Sequence, residues 1–160
     1  MSMRFGELMD AFAAKAGIEG FAPDEDGNYG LEVDGIELGF AETGDGQMLV
    51  TGDVCAAPGD GGRLHRLLLE AMGDDSTTGG AMFSSDPDTG RICLRRTESI
   101  AEMDADAFDE RIGGFVEIVG EWRGIAAAMA AIAPALDASA ASAADESRRL
   151  GLGLPGVTVG

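Results

Sequence analysis

Two runs of alternating apolar residues, joined by Asp34-Gly35, constrain the fold of this chain more than any other feature. The apolar positions on the two sides of this pair are Tyr29, Leu31, Val33, Ile36, Leu38 and Phe40. An Asp-Gly pair tolerates the positive φ angles of a two-residue type I′ turn. Such a turn places Val33 opposite Ile36 and brings all these apolar side chains to one face. The sequence therefore predicts a β-hairpin with one buried face, and with Glu32 facing Glu37 on the other face.

Three amphipathic helices are predicted from apolar residues at helical spacing. The first helix carries Phe5, Leu8, Met9, Phe12 and Ala16. The second carries Leu64, Leu67, Leu68, Ala71 and Met72. The last begins after Asp104 as N-cap and carries Phe108, Ile112, Phe115, Val119, Trp122, Ala126 and Met129. We expect Pro134 to end or kink the last helix. We interpret Gly113, Gly114 and Gly120 as points where another backbone approaches that helix closely.

Three further strands are predicted at about residues 48–55, 81–84 and 91–97. The first of them is apolar on both faces, which suggests that a subunit partner covers it. The element order αβββαββα predicts an α+β fold with an antiparallel sheet of about five strands. We predict one domain over residues 1–133, followed by an Ala/Ser/Gly-rich extension over residues 134–160. The last residues of the extension are either disordered or a strand that docks on the domain.

The charge of the chain restricts its partners. It has 29 Asp and Glu against 11 Lys and Arg, a formal net charge of −18. Nucleic acids and anionic membranes would repel such a chain, so we expect neither as a partner. The acidity favours a basic protein partner instead.

The residues that would support catalysis or metal binding are scarce. His65 is the only histidine, so a conventional zinc site with two or more histidines is not available. No serine or cysteine occupies a strand-turn-helix motif of the kind that carries a catalytic nucleophile. The acidic turn that begins at Asp24 has Tyr29 and Gly35 where a calcium-binding loop needs a glycine and a carboxylate. We therefore predict no catalytic residue, no metal site and no cofactor, and no enzyme. A metal-assisted hydrolase built on the acidic turns is the weakest of our hypotheses.

The cysteines and the apolar runs indicate the compartment. Cys55 and Cys93 are predicted to be free core thiols of a reducing cytoplasm, with a disulfide as the alternative. No apolar run approaches the ~20 residues of a membrane span, and Glu7 and Asp10 interrupt any signal peptide. We expect a cytoplasmic protein.

Four of the methionines fall in predicted elements: Met9, Met48, Met72 and Met82. They either fill the core or form an adaptable apolar surface that recognises a flexible chain.

The order and spacing of these elements resemble the class I type III secretion chaperones, the Tir chaperone family. The likeness covers about residues 4–130 and is carried by Phe5-x-x-Leu8-Met9-x-x-Phe12, Leu31-Glu-Val-Asp-Gly-Ile-Glu-Leu38, Leu64-x-x-Leu67-Leu68-x-x-Ala71-Met72, Ile92-Cys-Leu94, Phe108-x-x-x-Ile112-x-x-Phe115-Val116 and Trp122. The glycine-rich loop before the second helix and the extension after residue 133 depart from the family pattern.

The resemblance implies a homodimer that binds the N-terminal, non-globular segment of a secreted effector and keeps it soluble and secretion-competent. It implies effector contact through the first helix and the sheet, for which we select Met9, Phe12, Leu31, Leu38 and Met48. It implies dimerisation around the second helix and neighbouring strands, for which we select Leu67, Leu69 and Val54. The alternative function is a regulatory module of the same fold that binds a folded protein.

Overall fold

The fold is described here from a computed structural model, which covers residues 3–44, 46–59 and 62–151. Its elements in chain order are α1 (Met3–Ala16), β1 (Tyr29–Val33), β2 (Ile36–Gly44), β3 (Gln47–Ala56), α2 (Arg63–Ala71), α3 (Asp75–Thr78), β4 (Met82–Ser85), β5 (Arg91–Ser99) and α4 (Ala105–Arg149). The predicted order of elements is confirmed, with the short helix α3 as an addition.

The predicted hairpin forms with the predicted register. Val33 pairs with Ile36, and Leu31 pairs with Leu38. Asp34 and Gly35 have φ angles of 51° and 75°, both in the left-handed region that a type I′ turn requires. The turn chemistry and the apolar alternation therefore specify the same structure.

The strands form one antiparallel sheet in the order β1-β2-β3-β5-β4. The strand β1 lies at one edge of this sheet and the four-residue strand β4 at the other. The predicted fold class, α+β with a five-stranded antiparallel sheet, is confirmed.

The helices pack on one face of the sheet, and the core lies between the two layers. Met48, Val50 and Val54 of β3 are buried on this face, whereas Leu49 on the opposite face is half-buried. The rings of Phe12 in α1 and Phe108 in α4 have centroids 4.7 Å apart, which joins the two helices. The strand β3 is thus covered by helices on one face only, and its cover by a subunit partner stays a prediction.

The first half of α4 uses the predicted apolar stripe, but its glycines have a different role from the one expected. No neighbouring atom lies within 4 Å of where a Cβ atom would stand on Gly113 or Gly114, so our interpretation of these glycines was wrong. The close approach lies in β3 instead. A Cβ atom on Gly52 would stand 2.6 Å from Cγ2 of Val119. A glycine in the strand, not in the helix, lets α4 lie against the sheet.

The second half of α4 corrects another expectation. Of the two effects expected of Pro134, an end of the helix is wrong, because the helix continues to Arg149, and a kink stays a prediction. Ala130, whose carbonyl group loses its donor to the proline, lies at an exposed position where water can bond to it. By length and apolar composition α4 could cross a membrane, so the expectation that no apolar run is long enough was wrong. Only 6% of that apolar stretch is buried, so the second half of α4 is largely uncovered.

The helix α3 is held by its cap and by α4. The Asp74 side chain accepts a hydrogen bond of 2.9 Å from the backbone N–H of Ser76. Nε1 of Trp122 donates to the carbonyl oxygen of Thr77 at 3.2 Å. These contacts fix the connection between α2 and β4 against the middle of α4.

Candidate partner-binding surfaces

The outer edge of β1 is available for pairing with another strand. In a two-residue hairpin the residues that flank the turn form a hydrogen-bonded pair, and such pairs then alternate along the ladder. With Val33 opposite Ile36, the backbone groups of Val33 and Leu31 point to β2. Those of Gly30 and Glu32 therefore point away from the sheet. We call this row of outward N–H and C=O groups the β1 edge.

An apolar strip runs beside the β1 edge. It consists of four partly buried side chains that pack against the core: Ile18, Phe21, Leu31 and Val33. The ring of Phe21 packs between Phe12 and Tyr29, with centroid distances of 6.2 Å and 5.0 Å. The strip therefore joins α1 to β1. An added strand that paired with the β1 edge would have apolar surface under its inward side chains.

The sequence analysis did not identify Ile18, Phe21 and Val33 as candidate contact residues. Ile18 and Phe21 lie in the connection between α1 and β1, outside any periodic pattern. The available signal was the presence of two large apolar residues in a connection that is otherwise polar or rich in glycine.

The charge next to the β1 edge is negative. Asp10 on α1 and Glu32 and Glu37 on the hairpin are exposed. Burial and the nearby Asp10 carboxylate both raise the pKa of Tyr29 above its ordinary value. This side of the protein therefore favours a cationic or neutral segment over an acidic one.

The cations near this region already have partners within the chain. Nη2 of Arg4 donates to the carbonyl oxygen of Met103 at 2.6 Å, and Nζ of Lys15 lies 2.6 Å from Asp106. Nη1 of Arg123 donates to the carbonyl oxygen of Gly35 at 2.8 Å, which holds the hairpin turn against α4. These side chains support the fold. Lys15 is neutralised by a carboxylate, whereas Arg4 and Arg123 bond to carbonyl groups and keep their positive charge.

The structure places most of the residues selected for partner binding inside the core. Met9, Phe12, Leu38 and Met48 are at most 4% exposed. Leu31 is half-buried and belongs to the apolar strip. Of the five selected residues, only Leu31 has side-chain surface that a partner could contact in this structure. Direct contact by the other four stays a prediction.

A second apolar surface lies between α2 and β4. A groove of about 160 Å³ is lined by His65, Leu68, Leu69, Met72, Phe83, Ser84, Ser85 and Ile92. Leu69 is 66% exposed, and so is Met82 on β4. Of the residues selected for dimerisation, Leu69 is thus at the surface and Leu67 is half-buried, whereas Val54 lies in the core. We call this surface the α2–β4 groove.

The acidic turn and the two cysteines do not form a metal-binding cluster in the part of the chain that the structure describes. Within residues 3–44, 46–59 and 62–151, no group of three or more His, Cys, Asp or Glu side chains could hold a metal ion. The side chain of Asp24 accepts hydrogen bonds from the backbone N–H groups of Asp26 and Asn28, so it stabilises its own turn. Cys55 and Cys93 are free thiols, and burial raises the pKa of Cys93. These groups are structural.

Solved structures with a similar fold include several chaperone complexes. A chain of the HopA1–SchA chaperone–effector complex is 14% identical, with a TM-score of 0.64 over 76% of this chain and 94% of that one. A chain of the ExsC–ExsE complex is 18% identical, with a TM-score of 0.64 over 77% of this chain and 95% of that one. The Yersinia pestis type III secretion chaperone SycH, in complex with a fragment of YscM2, is 14% identical, with a TM-score of 0.58 over 74% of this chain and 98% of that one. At these identities the likeness establishes the fold.

Comparison with sequences gives the family. No curated protein sequence matches this chain. The model of the Tir chaperone protein (CesT) family matches residues 7–123, from α1 to the middle of α4. This match includes the whole sheet, the β1 edge and the α2–β4 groove, and it stops before the uncovered half of α4. The chain therefore belongs to the Tir chaperone protein (CesT) family.

Proposed function

We propose that this protein is a type III secretion chaperone that binds the N-terminal, non-globular segment of a secreted effector and keeps it soluble and secretion-competent. The observation that carries this proposal is the β1 edge, with the apolar strip beside it. The family membership supports it, as do the similar folds found in a chaperone–effector complex and in a chaperone bound to a protein fragment. The chaperone would act in the bacterial cytoplasm, by binding alone, without a cofactor or a catalytic step.

The effector segment would bind as a sixth strand. Its backbone would pair with the outward groups of Gly30 and Glu32, and alternate side chains would cover Leu31, Val33 and Phe21. Backbone pairing requires an extended segment with free N–H and C=O groups, which a non-globular segment offers along its whole length and a folded domain offers only at the edges of its sheets. This requirement accounts for the selection of a non-globular client.

We also propose that the protein is a homodimer and that the α2–β4 groove is part of its self-contact. Leu69 and Met82 are large apolar side chains with most of their surface in water. Such a pair beside an apolar groove is typical of a protein contact. Val54, which lies in the core, would support this surface from below without touching the second copy.

The proposal is tested first by purifying the tagged protein from its own cells and identifying its partner by mass spectrometry. We expect one dominant secreted protein, bound through its N-terminal segment. A synthetic peptide of that segment then serves as the probe for variants of the chaperone.

The variant Glu32→Pro isolates pairing at the β1 edge. It removes an outward N–H group without removing a hydrogen bond between β1 and β2, and edge strands tolerate proline. We expect the peptide affinity to fall by about tenfold or more, in line with the loss of central strand-pairing contacts. The matched control Glu32→Ala keeps the N–H group and removes the same charge, so its affinity measures the effect of the charge alone, and Glu32→Pro should bind about tenfold or more weakly than this control. Thermal unfolding checks that both variants fold.

Two results would overturn the proposal. One is a folded regulatory protein as the dominant partner, which would favour the regulatory module. The other is an effector peptide that binds Glu32→Pro and Glu32→Ala equally well, which would move the binding site away from the β1 edge.

A further inference from the structure

The uncovered half of α4 carries a regular apolar stripe. Its exposed members are Ile125, Ile132 and Leu136, with 38%, 52% and 43% of their surface in water. Counting the smaller residues in between, the stripe runs through Ile125, Met129, Ile132, Leu136, Ser139 and Ala143 and ends at the exposed Leu150. Successive positions are four and three residues apart in turn, which is the spacing of the contact between two paired helices. Glu146 occupies the position between Ala143 and Leu150 in this series. We call this stripe the α4 seam.

The α4 seam lies beside the stripe that faces the core, and the two share Met129, which is half-buried against the core. Each residue of an α-helix turns by about 100°, so Ile125 and Ala126 point in directions about 100° apart. Ala126 is buried and Ile125 is exposed. Pro134 lies on the side of the helix opposite the seam, so its ring does not obstruct a second helix. The core contact therefore leaves the seam open at Ile125, Ile132 and Leu136 and covers part of Met129.

An ion pair also connects the uncovered half of α4 to α2. Nη2 of Arg63, at the start of α2, lies 2.7 Å from Oδ1 of Asp137. Asp137 follows the seam residue Leu136 and points toward the core side of α4. The ion pair joins the middle of the uncovered half to α2, the helix that carries the exposed Leu69.

We propose that the α4 seam binds the α4 seam of a second copy of this chain, with the two helices antiparallel and centred on Pro134. In this arrangement Ile132 faces Leu136 of the second copy, and Leu136 faces Ile132. Ile125 faces Ala143 of the second copy, a large residue against a small one. The small residues between the large ones let the helices approach closely.

Charge favours the antiparallel direction over the parallel one. In the antiparallel arrangement position 121 lies opposite position 147 of the second copy, so Glu121 is near both Arg149 and Glu146 of that copy, and symmetry repeats these neighbours at the other end. In a parallel, in-register pair, Glu146 would face its own copy within the seam, and two carboxylates would repel each other. Residues 121, 146 and 149 are all exposed, so these charges are free to act on a second helix.

The pairing is tested first by disulfide crosslinking, with Cys55→Ser and Cys93→Ser in every chain. One chain carries Ile132→Cys and the other carries Leu136→Cys. On mixing and mild oxidation, we expect covalent dimers that join the two introduced thiols. The control mixture carries Ala131→Cys and Ala138→Cys, which lie on the opposite face of the same helix, and it should form few dimers or none.

The second measurement is the dimer dissociation constant from sedimentation equilibrium. Ile132→Glu with Leu136→Glu should raise this constant by about tenfold or more, because charges would enter an apolar contact. Ala131→Glu with Ala138→Glu adds the same charge away from the seam and should leave the constant close to that of the parent. Both pairs replace exposed residues, and circular dichroism confirms that α4 stays helical.

Either of two results overturns the proposal: crosslinking that is equal in the two mixtures, or dissociation constants that are equal in the two glutamate variants. If the seam variant instead loses binding to the effector peptide or to anionic vesicles while its self-association is unchanged, the occupant is that partner and not a second copy.

Discussion

At the scale of single residues, Tyr29 reports on the surface that we assign to the effector. It is the only tyrosine in the chain, it is 4% exposed, and its ring packs against Phe5 and Phe21 at the start of β1. Its ionisation can therefore be followed by tyrosinate absorbance without interference from another tyrosine. Burial, with a smaller effect of Asp10, raises its pKa above the ordinary value.

We expect the folded protein to show a tyrosinate titration above the pKa of about 10 that is typical of an unfolded chain. The stability that the neutral phenol provides is fully present below pH ~10 and is lost as the pH rises through the higher pKa of the folded state. The side chain of Tyr29→Phe cannot ionise. Above pH ~10 the free energy of unfolding of this variant should therefore exceed that of the parent by an amount that grows as the pH rises. A titration that is the same with and without denaturant would contradict the assigned burial.

Glu98 is the residue whose loss should cost most among the charged groups. Its carboxylate is 6% exposed and lies between two arginines. Nη1 of Arg111 donates to Oε2 at 2.6 Å. Nε of Arg96 lies 2.6 Å from Oε1 as an ion pair without a well-aligned hydrogen bond. The guanidinium of Arg96 also lies 5.2 Å from the ring centroid of Phe115, so this cluster connects β5 to α4.

Glu98→Ala should lower the free energy of unfolding by about 2–3 kcal/mol, because it leaves the mostly buried Arg96 without its carboxylate. Urea denaturation at neutral pH measures the change. Glu110→Ala, an exposed carboxylate on the same helix as Arg111, is the control and should stay within about 0.5 kcal/mol of the parent. Equal losses in the two variants would show that the cluster contributes no specific stability.

At the scale of elements, the glycines of β3 and α4 differ in their surroundings: the one in β3 is closely packed and those in α4 face open space. Gly52 is the point of closest approach between β3 and α4, with Phe115 and Val119 above it. Gly113 and Gly114 lie on the exposed side of α4, with open space around them.

Gly113→Ala and Gly114→Ala should each stabilise the protein by about 1 kcal/mol, because alanine favours a helix more than glycine does. Gly52→Ala should destabilise it by about 1–3 kcal/mol, since the added methyl group must displace Val119. Thermal and urea unfolding of the three variants measure both signs. Stabilisation by Gly52→Ala would mean that α4 lies farther from the sheet than described.

The elements also show how far the sequence alone could be interpreted. The β1–β2 register was predictable because the Asp34-Gly35 turn and the apolar alternation both require it. The helix α3 was not, because four residues are too few to show a period. The length of α4 was underestimated because Pro134 was given more weight than the alanine-rich sequence around it, which favours a helix.

The contact residues were harder to predict for a physical reason. Periodic apolar residues identify the face that an element buries, and the protein's own core uses that face first. Met9, Phe12, Leu38 and Met48 follow the clearest patterns and are all buried. A binding surface consists of what the core leaves uncovered, and it is visible only once the elements are packed.

At the scale of the whole molecule, the net charge acts in opposite directions on the two proposed interactions. Each chain carries a formal charge of −18, so two copies repel each other at long range. An effector segment with basic residues is attracted by the same field, most strongly next to Asp10, Glu32 and Glu37. Salt screens both effects, because the Debye length falls from roughly 14 Å at about 0.05 M to roughly 4 Å at about 0.5 M.

Raising NaCl from about 0.05 M to about 0.5 M should therefore lower the dimer dissociation constant and slow the association of the effector peptide. We expect the association rate constant to fall by about tenfold, while the dissociation rate changes much less, because the bound segment is held by backbone pairing and apolar contact. Sedimentation and stopped-flow fluorescence of Trp122 or of a labelled peptide measure the two responses. A neutral synthetic peptide with the same apolar positions is the control and should associate at a rate that salt hardly changes. An association rate constant of the basic peptide that stays unchanged or rises with salt would mean that the acidic surface does not attract the effector segment.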